Sequence, residues 1–325
     1  MEVNNLKKNF TFPSSDGITN IHAVMWIPDI ENHENRHKIR GIVQIVHGMV
    51  EYIERYDSFA RYLNSYDYIV VGHDLLGHGQ SVTSVENWGF IANQTGSNHP
   101  VDFLIHDINR LYLGIHKKYP GIPYFLLGHS MGSYLVRQYL AYEGSSFSGA
   151  ILSGTGFESN STTIPGMALI HAMAKINGWH YRSKVIRNMS YSNSYKTYDL
   201  TCNDKSNCWL TKDESIVSNY YKDPRDTYIF TLNGYDALLS SVCFTCQRQN
   251  ISMIPKTLPI LLASGDQDPV GRFGDGVREV YELYAQNGIY DLKLKLFSGD
   301  RHEILNETDR DDVYAYIVNW LIKRS

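Results

Sequence analysis

Apolar and polar positions along this chain fall into short runs of two kinds, and the two kinds alternate. Gly41 to Val46, Tyr68 to Val71, Tyr124 to Leu127, Ser148 to Ser153 and Pro259 to Ala263 are compact apolar stretches, the pattern of strands buried inside a sheet. Between them, Arg55 to Ser65, Val101 to Tyr119, Met131 to Tyr142 and the run holding Val277, Val280, Tyr281 and Tyr284 space their apolar residues as helices do. Residues 10–13 and 21–27 predict two strands joined by the turn Ser14-Ser15-Asp16-Gly17. Glu31 to Arg40 is polar and predicts a surface loop. Leu292 to Phe297 alternates apolar residues with lysine, a strand with one exposed face, and Arg310 to Lys323 predicts a helix burying Val313, Ile317, Trp320 and Leu321.

The alternation breaks once. From about Thr155 to Lys256 the chain is rich in Ser, Asn and Tyr, with apolar segments at Pro165 to Ile176 and Tyr228 to Leu239. A stretch this long does not remain a bare loop in a compact fold, so it predicts a small helical insertion. The expected organisation is a core from residues 1–154 and 257–325, with a helical cap at 155–256.

Composition narrows the function classes without naming one. The chain of 325 residues is 43% hydrophobic and 20% charged, ordinary for a globular protein, and its formal net charge of -4 argues against nucleic acid as a partner. No run of 18 or more apolar residues suggests a membrane span, and the lysines near Met1 precede no apolar segment, so a cytoplasmic location is expected. All four cysteines, Cys202, Cys208, Cys243 and Cys246, lie in the insertion and are expected to be thiols there. A zinc site built from Cys243-x-x-Cys246 and the other pair is disfavoured, because Cys202 and Cys208 are too far apart in sequence.

Candidate chemistry gathers where strands end. Gly128-His129-Ser130-Met131-Gly132 joins a buried strand to a helix. A serine on so sharp a turn is pushed out where a base can reach it, and the two glycines leave room for the turn. The pentapeptide arises by chance in roughly one chain in ten of this length, so the flanking strand and helix decide its meaning. His47-Gly48-Met49 follows another strand, where backbone N–H groups can face a developing oxyanion. Gly72 to Ser81 packs three glycines with His73 and His78. With no further ligand cluster nearby, it reads as a tight loop in which Asp74 and Ser81 bond to backbone, and no metal is expected. After the later strands come Asp266-Gln267-Asp268-Pro269 and Asp300-Arg301-His302-Glu303. His302 is the candidate general base. Asp268 is the candidate acid, ahead of Asp266 and Asp300, because it lies farther past the strand end with Pro269 to fix the turn.

Serine, acid and histidine in that order, each after a strand, is the chain order of α/β-hydrolases, and a parallel sheet brings the three loops to one edge. The motifs His47-Gly48-Met49 with Glu51 and Arg55-Tyr56, Asp74-x-x-Gly77-His78-Gly79-x-Ser81, the Ser130 pentapeptide, Gly265-x-x-Asp268-Pro269 and His302-Glu303 closely resemble the monoacylglycerol lipase and lysophospholipase branch of that superfamily, related to the S33 serine aminopeptidases. The resemblance implies an α/β-hydrolase fold, a mostly parallel sheet flanked by helices with a cap. It implies a serine esterase or lipase acting through Ser130, Asp268 and His302, with Met49 and Met131 N–H groups as the oxyanion hole, and no cofactor. The partner is then a small ester or lipid substrate. Transient membrane or micelle contact through Ile164, Met167 and Ile170 competes with packing of those residues on the core, which their helical spacing favours. A proline-iminopeptidase-like aminopeptidase, using cap acids among Glu158, Asp199, Asp204, Asp213 and Glu214, and a ligand-binding protein without activity are the alternatives.

Overall fold

The computed structural model describes residues 6–29, 39–93, 99–191 and 193–325. Its centre is an eight-stranded sheet: β1 (Leu6–Pro13), β2 (Asn20–Ile27), β3 (Gly41–Val46), β4 (Tyr68–His73), β5 (Tyr124–His129), β6 (Gly149–Ser153), β7 (Ile260–Gly265) and β8 (Leu292–Phe297), in the order β1-β2-β4-β3-β5-β6-β7-β8. The β1 and β2 hairpin and the β2 to β4 pairing are antiparallel, and all other neighbours run parallel. The expected polar loop at Glu31 to Arg40 falls almost wholly outside the described residues.

Helices α1 (Asp57–Asn64), α2 (Pro100–Lys118), α3 (Met131–Glu143), α4 (Asn160–Asn177), α5 (Lys184–Ser190), α6 (Glu214–Lys222), α7 (Leu232–Thr245), α8 (Arg248–Ile251), α9 (Asp275–Gln286) and α10 (Arg310–Ile322) complete the fold. Side chains alternate along the central strands, so the sheet feeds two cores. Ile42, Val46, Tyr124 and Leu126 pack on one face with Leu104 and Ile108 of α2, Leu135 of α3 and Val277 of α9. Val43, Ile45, Phe125 and Leu127 pack on the other with Phe59 and Leu63 of α1 and Ile317 and Trp320 of α10. Each fully buried aliphatic or aromatic side chain contributes about 1.5–3 kcal/mol of transfer free energy, enough to fix strand register. Arg55 and Tyr56, expected in α1, instead form a tighter 3-10 turn at Ile53–Tyr56 ahead of it.

Between β6 and β7 the chain forms α4 to α8. This segment does not stand apart: α7 lies against α2 and α3 as well as α4. Arg137 of α3, 1% exposed, donates to Gly156 O (2.8 Å) just after β6, to Thr245 O (3.0 Å) at the end of α7 and to the Tyr284 hydroxyl (3.2 Å) of α9. The cysteine expectation needs correcting. Cys202 and Cys208 form a disulfide, while Cys243 and Cys246 stay free. The Cα atoms of the bonded pair lie 4.8 Å apart because residues 203–207 turn back on a 3-10 segment (Lys205–Asn207), a proximity that sequence spacing alone does not disclose. Among the described residues, no helix is long and apolar enough to cross a membrane.

Candidate active site

β3, β5, β7 and β8 end on one edge of the sheet, and the loops leaving them carry the candidate residues. Ser130, between β5 and α3, has φ 52° and ψ -121°, a backbone state that costs a non-glycine residue about 1–3 kcal/mol and is held by its surroundings. Its N–H donates to Ser153 O (2.9 Å) on β6, and its carbonyl accepts from Ser133 Oγ (2.6 Å). The flanking glycines are sterically required. A Cβ on Gly132 would strike the carbonyls of Val46 and His47, and one on Gly128 would strike the Gly132 backbone. A Cβ on Gly48 would lie 3.0 Å from the Ser130 Cβ, so the β3 exit presses directly against the serine.

Met131 opens α3, where first-turn N–H groups have no acceptor within the helix, and Met49 follows Gly48 at the β3 exit. Gly48 N–H is already taken by Glu51 Oε1. The two amides that the sequence singles out are thus carried by backbone that flanks Ser130 from either side. His47 faces away: its Nε2 accepts from Leu75 N–H (2.8 Å), which ties β3 to the glycine loop after β4.

Among the three acids weighed, Asp268 is the one that meets His302. His302 Nδ1 lies 3.1 and 3.0 Å from the two Asp268 carboxylate oxygens, and both residues are buried. Asp268 is held in turn by Val270 N–H (2.8 Å) and Ser264 Oγ (3.2 Å). Asp266 accepts from Gly299 N–H (2.8 Å), and Asp300 binds Lys212 Nζ (2.8 Å). Burial works against a charged His302, yet the Asp268 carboxylate outweighs it and raises the imidazole above its ordinary value. His129, with its ring 4.7 Å from that of His302, is pushed down to about 4, first by burial and then by the His302 charge. Trp209 flanks His302 as well, with ring centroids 5.1 Å apart.

Behind these groups lies a buried ionic bridge. Its members, Glu51, Arg55 and Glu303, stand within the sequence motifs, but nothing in the sequence gives them a role. Arg55 binds Glu51 (2.9 Å) and both oxygens of Glu303 (2.8 and 2.7 Å). His73 and His78 are both buried and are pushed down to about 3, first by burial and then by His47. Asp74 accepts from Ile53 N–H and Gln80 N–H (both 2.8 Å), and Ser81 Oγ accepts from His22 N–H (2.9 Å). Among the described residues, Asp300, Glu307 and Asp309 are grouped closely enough to hold a metal, but Lys212 Nζ already lies 2.8, 3.9 and 3.5 Å from their carboxylates. Of the cap acids, Asp204 and Asp213 cap helical turns, and Asp199 accepts from Thr201 and Asp204.

A family profile described as serine aminopeptidase, S33 (Hydrolase_4), matches residues 37–309. A monoacylglycerol lipase of Mycolicibacterium smegmatis is 23% identical over 323 residues, spanning 98% of this chain and 99% of that one. The monoglyceride lipase of Mus musculus is 27% identical over 293 residues, 88% of this chain and 83% of its own. The crystal structure of a thermostable carboxyl esterase from Bacillus coagulans in complex with glycerol matches with a TM-score of 0.86 at 26% identity, covering 98% of both chains. The chain belongs to the serine aminopeptidase S33 family, on the monoacylglycerol lipase-like branch of the α/β-hydrolases.

Proposed function

We propose that this α/β-hydrolase cleaves carboxylic esters through an acyl-enzyme on Ser130. The observation that carries the reading is the convergence of a strained serine, φ 52°, with a buried Asp268 and His302 pair at one sheet edge. His302 removes the Ser130 proton as Oγ attacks the ester carbonyl, and the Met49 and Met131 N–H groups hold the resulting oxyanion. His302 then returns the proton to the departing alcohol. Water, activated by the same imidazole, releases the acid. Asp268 keeps the imidazole in the tautomer that leaves its other nitrogen free for the serine.

Monoacylglycerols are the substrate class we favour, because the Mycolicibacterium smegmatis relative named for that activity matches across the insertion as well as the core. The insertion also supports contact with lipid surfaces. On α4 and α5, Ile164, Ile176, Val185 and Met189 are more than half exposed, Met167 is half-buried, and Lys175 and Lys184 lie beside them. Ile170 alone of the three sequence candidates is fully packed. The test is a panel of monoacylglycerols of graded chain length, lysophospholipids, simple esters and a prolyl-naphthylamide, run with wild type and Ser130→Ala. Esterase turnover that vanishes in Ser130→Ala, with labelling of the wild type by a fluorophosphonate, is expected. Activity surviving in Ser130→Ala, or preference for the naphthylamide, refutes the reading.

A further inference from the structure

The histidine loop is fastened to the insertion by a strap of its residues, 206–212. Glu303 N–H donates to Leu210 O (2.8 Å) and His302 N–H to Trp209 O (3.4 Å), so the two segments run side by side. Arg301 closes the contact. Its guanidinium donates to Cys208 O (2.6 Å), Thr211 O (3.3 Å) and Ser206 O (2.9 Å), and it lies 5.4 Å from the ring centre of Tyr198. The Tyr198 hydroxyl donates to Gln267 O (2.7 Å), the residue before Asp268. Glu307 locks the far side, accepting from Arg301 N–H (2.7 Å), Thr211 Oγ1 (3.0 Å) and Lys212 N–H (2.9 Å). The disulfide closes the loop behind the strap, where Cys202, Cys208, Leu210 and Val217 form their own small apolar cluster with Trp209 against it.

A catalytic imidazole needs more than its carboxylate. Asp268 fixes one edge of the ring, but the ring plane is set by what packs on it, and here one of the packing groups is Trp209, carried by the strap. The three carbonyls are shared between two nitrogens of the guanidinium, Cys208 O and Thr211 O at Nη1 and Ser206 O at Nη2, a planar fork that a single ammonium nitrogen does not reproduce. We infer that Arg301 is a positioning residue for His302, acting through the 206–212 strap that seats Trp209 beside the imidazole. This rests on the reading of His302 as the base. The insertion thereby forms part of the mounting of the base, so a rearrangement of the cap is felt at the imidazole.

The test compares Arg301→Ala, Arg301→Lys and the paired Cys202→Ser/Cys208→Ser variant on a short-chain nitrophenyl ester, reading kcat, KM, the pH dependence of kcat/KM and the melting temperature. The charged groups facing His302 are Asp268 from the loop after β7, Glu303 on its own loop, Glu51 from the loop after β3 and His129 from the serine turn. None of these is altered by the variants, and Arg301→Lys and the cysteine pair also keep the charge at 301, so an acidic limb that moves in those two reports the seating of the imidazole. Expected for Arg301→Ala is a fall in kcat of about tenfold or more, KM within about twofold, and a displaced acidic limb. Arg301→Lys recovers only part of this, since one ammonium nitrogen does not reproduce the two-nitrogen fork. The cysteine pair shows a smaller loss in the same direction. Unchanged kcat and limb in folded Arg301→Ala overturn the inference, as does a rise in KM with kcat preserved. Should Arg301→Ala not fold, unchanged kcat and limb in the cysteine pair overturn it. Fluorophosphonate labelling of wild type and its absence in Ser130→Ala keep the two readings apart: if labelling of the wild type fails, the acyl-enzyme falls, and if it succeeds while the variants behave as wild type, only the strap falls.

Discussion

Arg55 binds both carboxylate oxygens of Glu303, at 2.8 and 2.7 Å, and so joins the turn after β3 to the residue next to His302. The same guanidinium holds Glu51, which caps Gly48 N–H and accepts from the Tyr56 hydroxyl (3.0 Å). A continuous polar chain thus runs from the backbone beside Met49 to the histidine loop, with every member at least nine-tenths buried. Burial pushes Glu303 up, but Arg55 outweighs it and brings the carboxyl down to about 2 from 4.5. A depressed acid contributes stability that is present above pH 4.5 and lost as pH falls through about 2. Arg55→Ala strands two buried carboxylates, and the expected cost is about 3–5 kcal/mol. Urea unfolding checks it. Because the stranded carboxylates become protonated in acid, the deficit should shrink at low pH, and a deficit independent of pH would mean that Arg55 acts by packing alone.

Asp226, in the turn between α6 and α7, is the third carboxylate facing Arg55, with Nε 3.9 Å away and no partner for its own Oδ1 among the described residues. That distance suggests an ion pair, yet burial raises its carboxyl to about 8 against the pull of Arg55. Burial decides the matter, because one cation already shares its hydrogen bonds between Glu51 and Glu303. A raised folded value means that the contribution is fully present below about 3.8 and lost as pH rises through about 8. Asp226→Asn keeps the neutral shape and is expected to match wild type in acid, then to exceed it by about 1–3 kcal/mol in alkali. Denaturant midpoints at several pH values measure the gap. A gap that does not grow with pH shows Asp226 ionised throughout.

What a sequence discloses differs between two kinds of residue here. Strands such as Ile42 to Val46 and Tyr124 to Leu127 are visible because burial on both faces leaves an unbroken apolar run, and Ser130 is visible because its turn demands glycine on both sides. The residues around His302 outside its own loop are another matter. Trp209 reaches His302 only after the insertion has folded back, and the carbonyls of that strap, which Arg301 binds across 90 residues of chain or more, have no side-chain identity to read. The disulfide is hidden for a related reason: it depends on the path of residues 203–207, which lack any hydrophobic period.

Gly154, at the end of β6, offers a third test. It has φ 57°, and a Cβ there would lie 2.9 Å from His302 Cε1 and 3.1 Å from His129 Cε1. Gly154→Ala therefore strains the backbone by about 1–2 kcal/mol and pushes on the imidazole at once. Loss of kcat well beyond what that modest destabilisation accounts for is the expected result, read by steady-state kinetics beside thermal melting. Full activity in a folded Gly154→Ala would mean that the ring has room to move.

The His302 and Asp268 pair makes a prediction in pH. Burial alone would lower the imidazole, but the facing carboxylate raises it above 6.5, and the base must be neutral to act. In wild type, kcat/KM should therefore rise with pH along a limb centred above 6.5. Asp268→Asn removes the charge that raises it, leaving burial in control, so the limb should move to lower pH. The amide also holds the wrong tautomer, and kcat is expected to fall by about 10⁴. In stability the sign runs the other way with pH. The raised imidazole contributes below 6.5 and loses its contribution as pH rises through its folded value, so the part of the Asp268→Asn deficit owed to His302 is greatest in acid. Kinetics across pH and urea unfolding on either side of the limb measure both. A limb that stays in place while kcat collapses would assign it to a group other than His302.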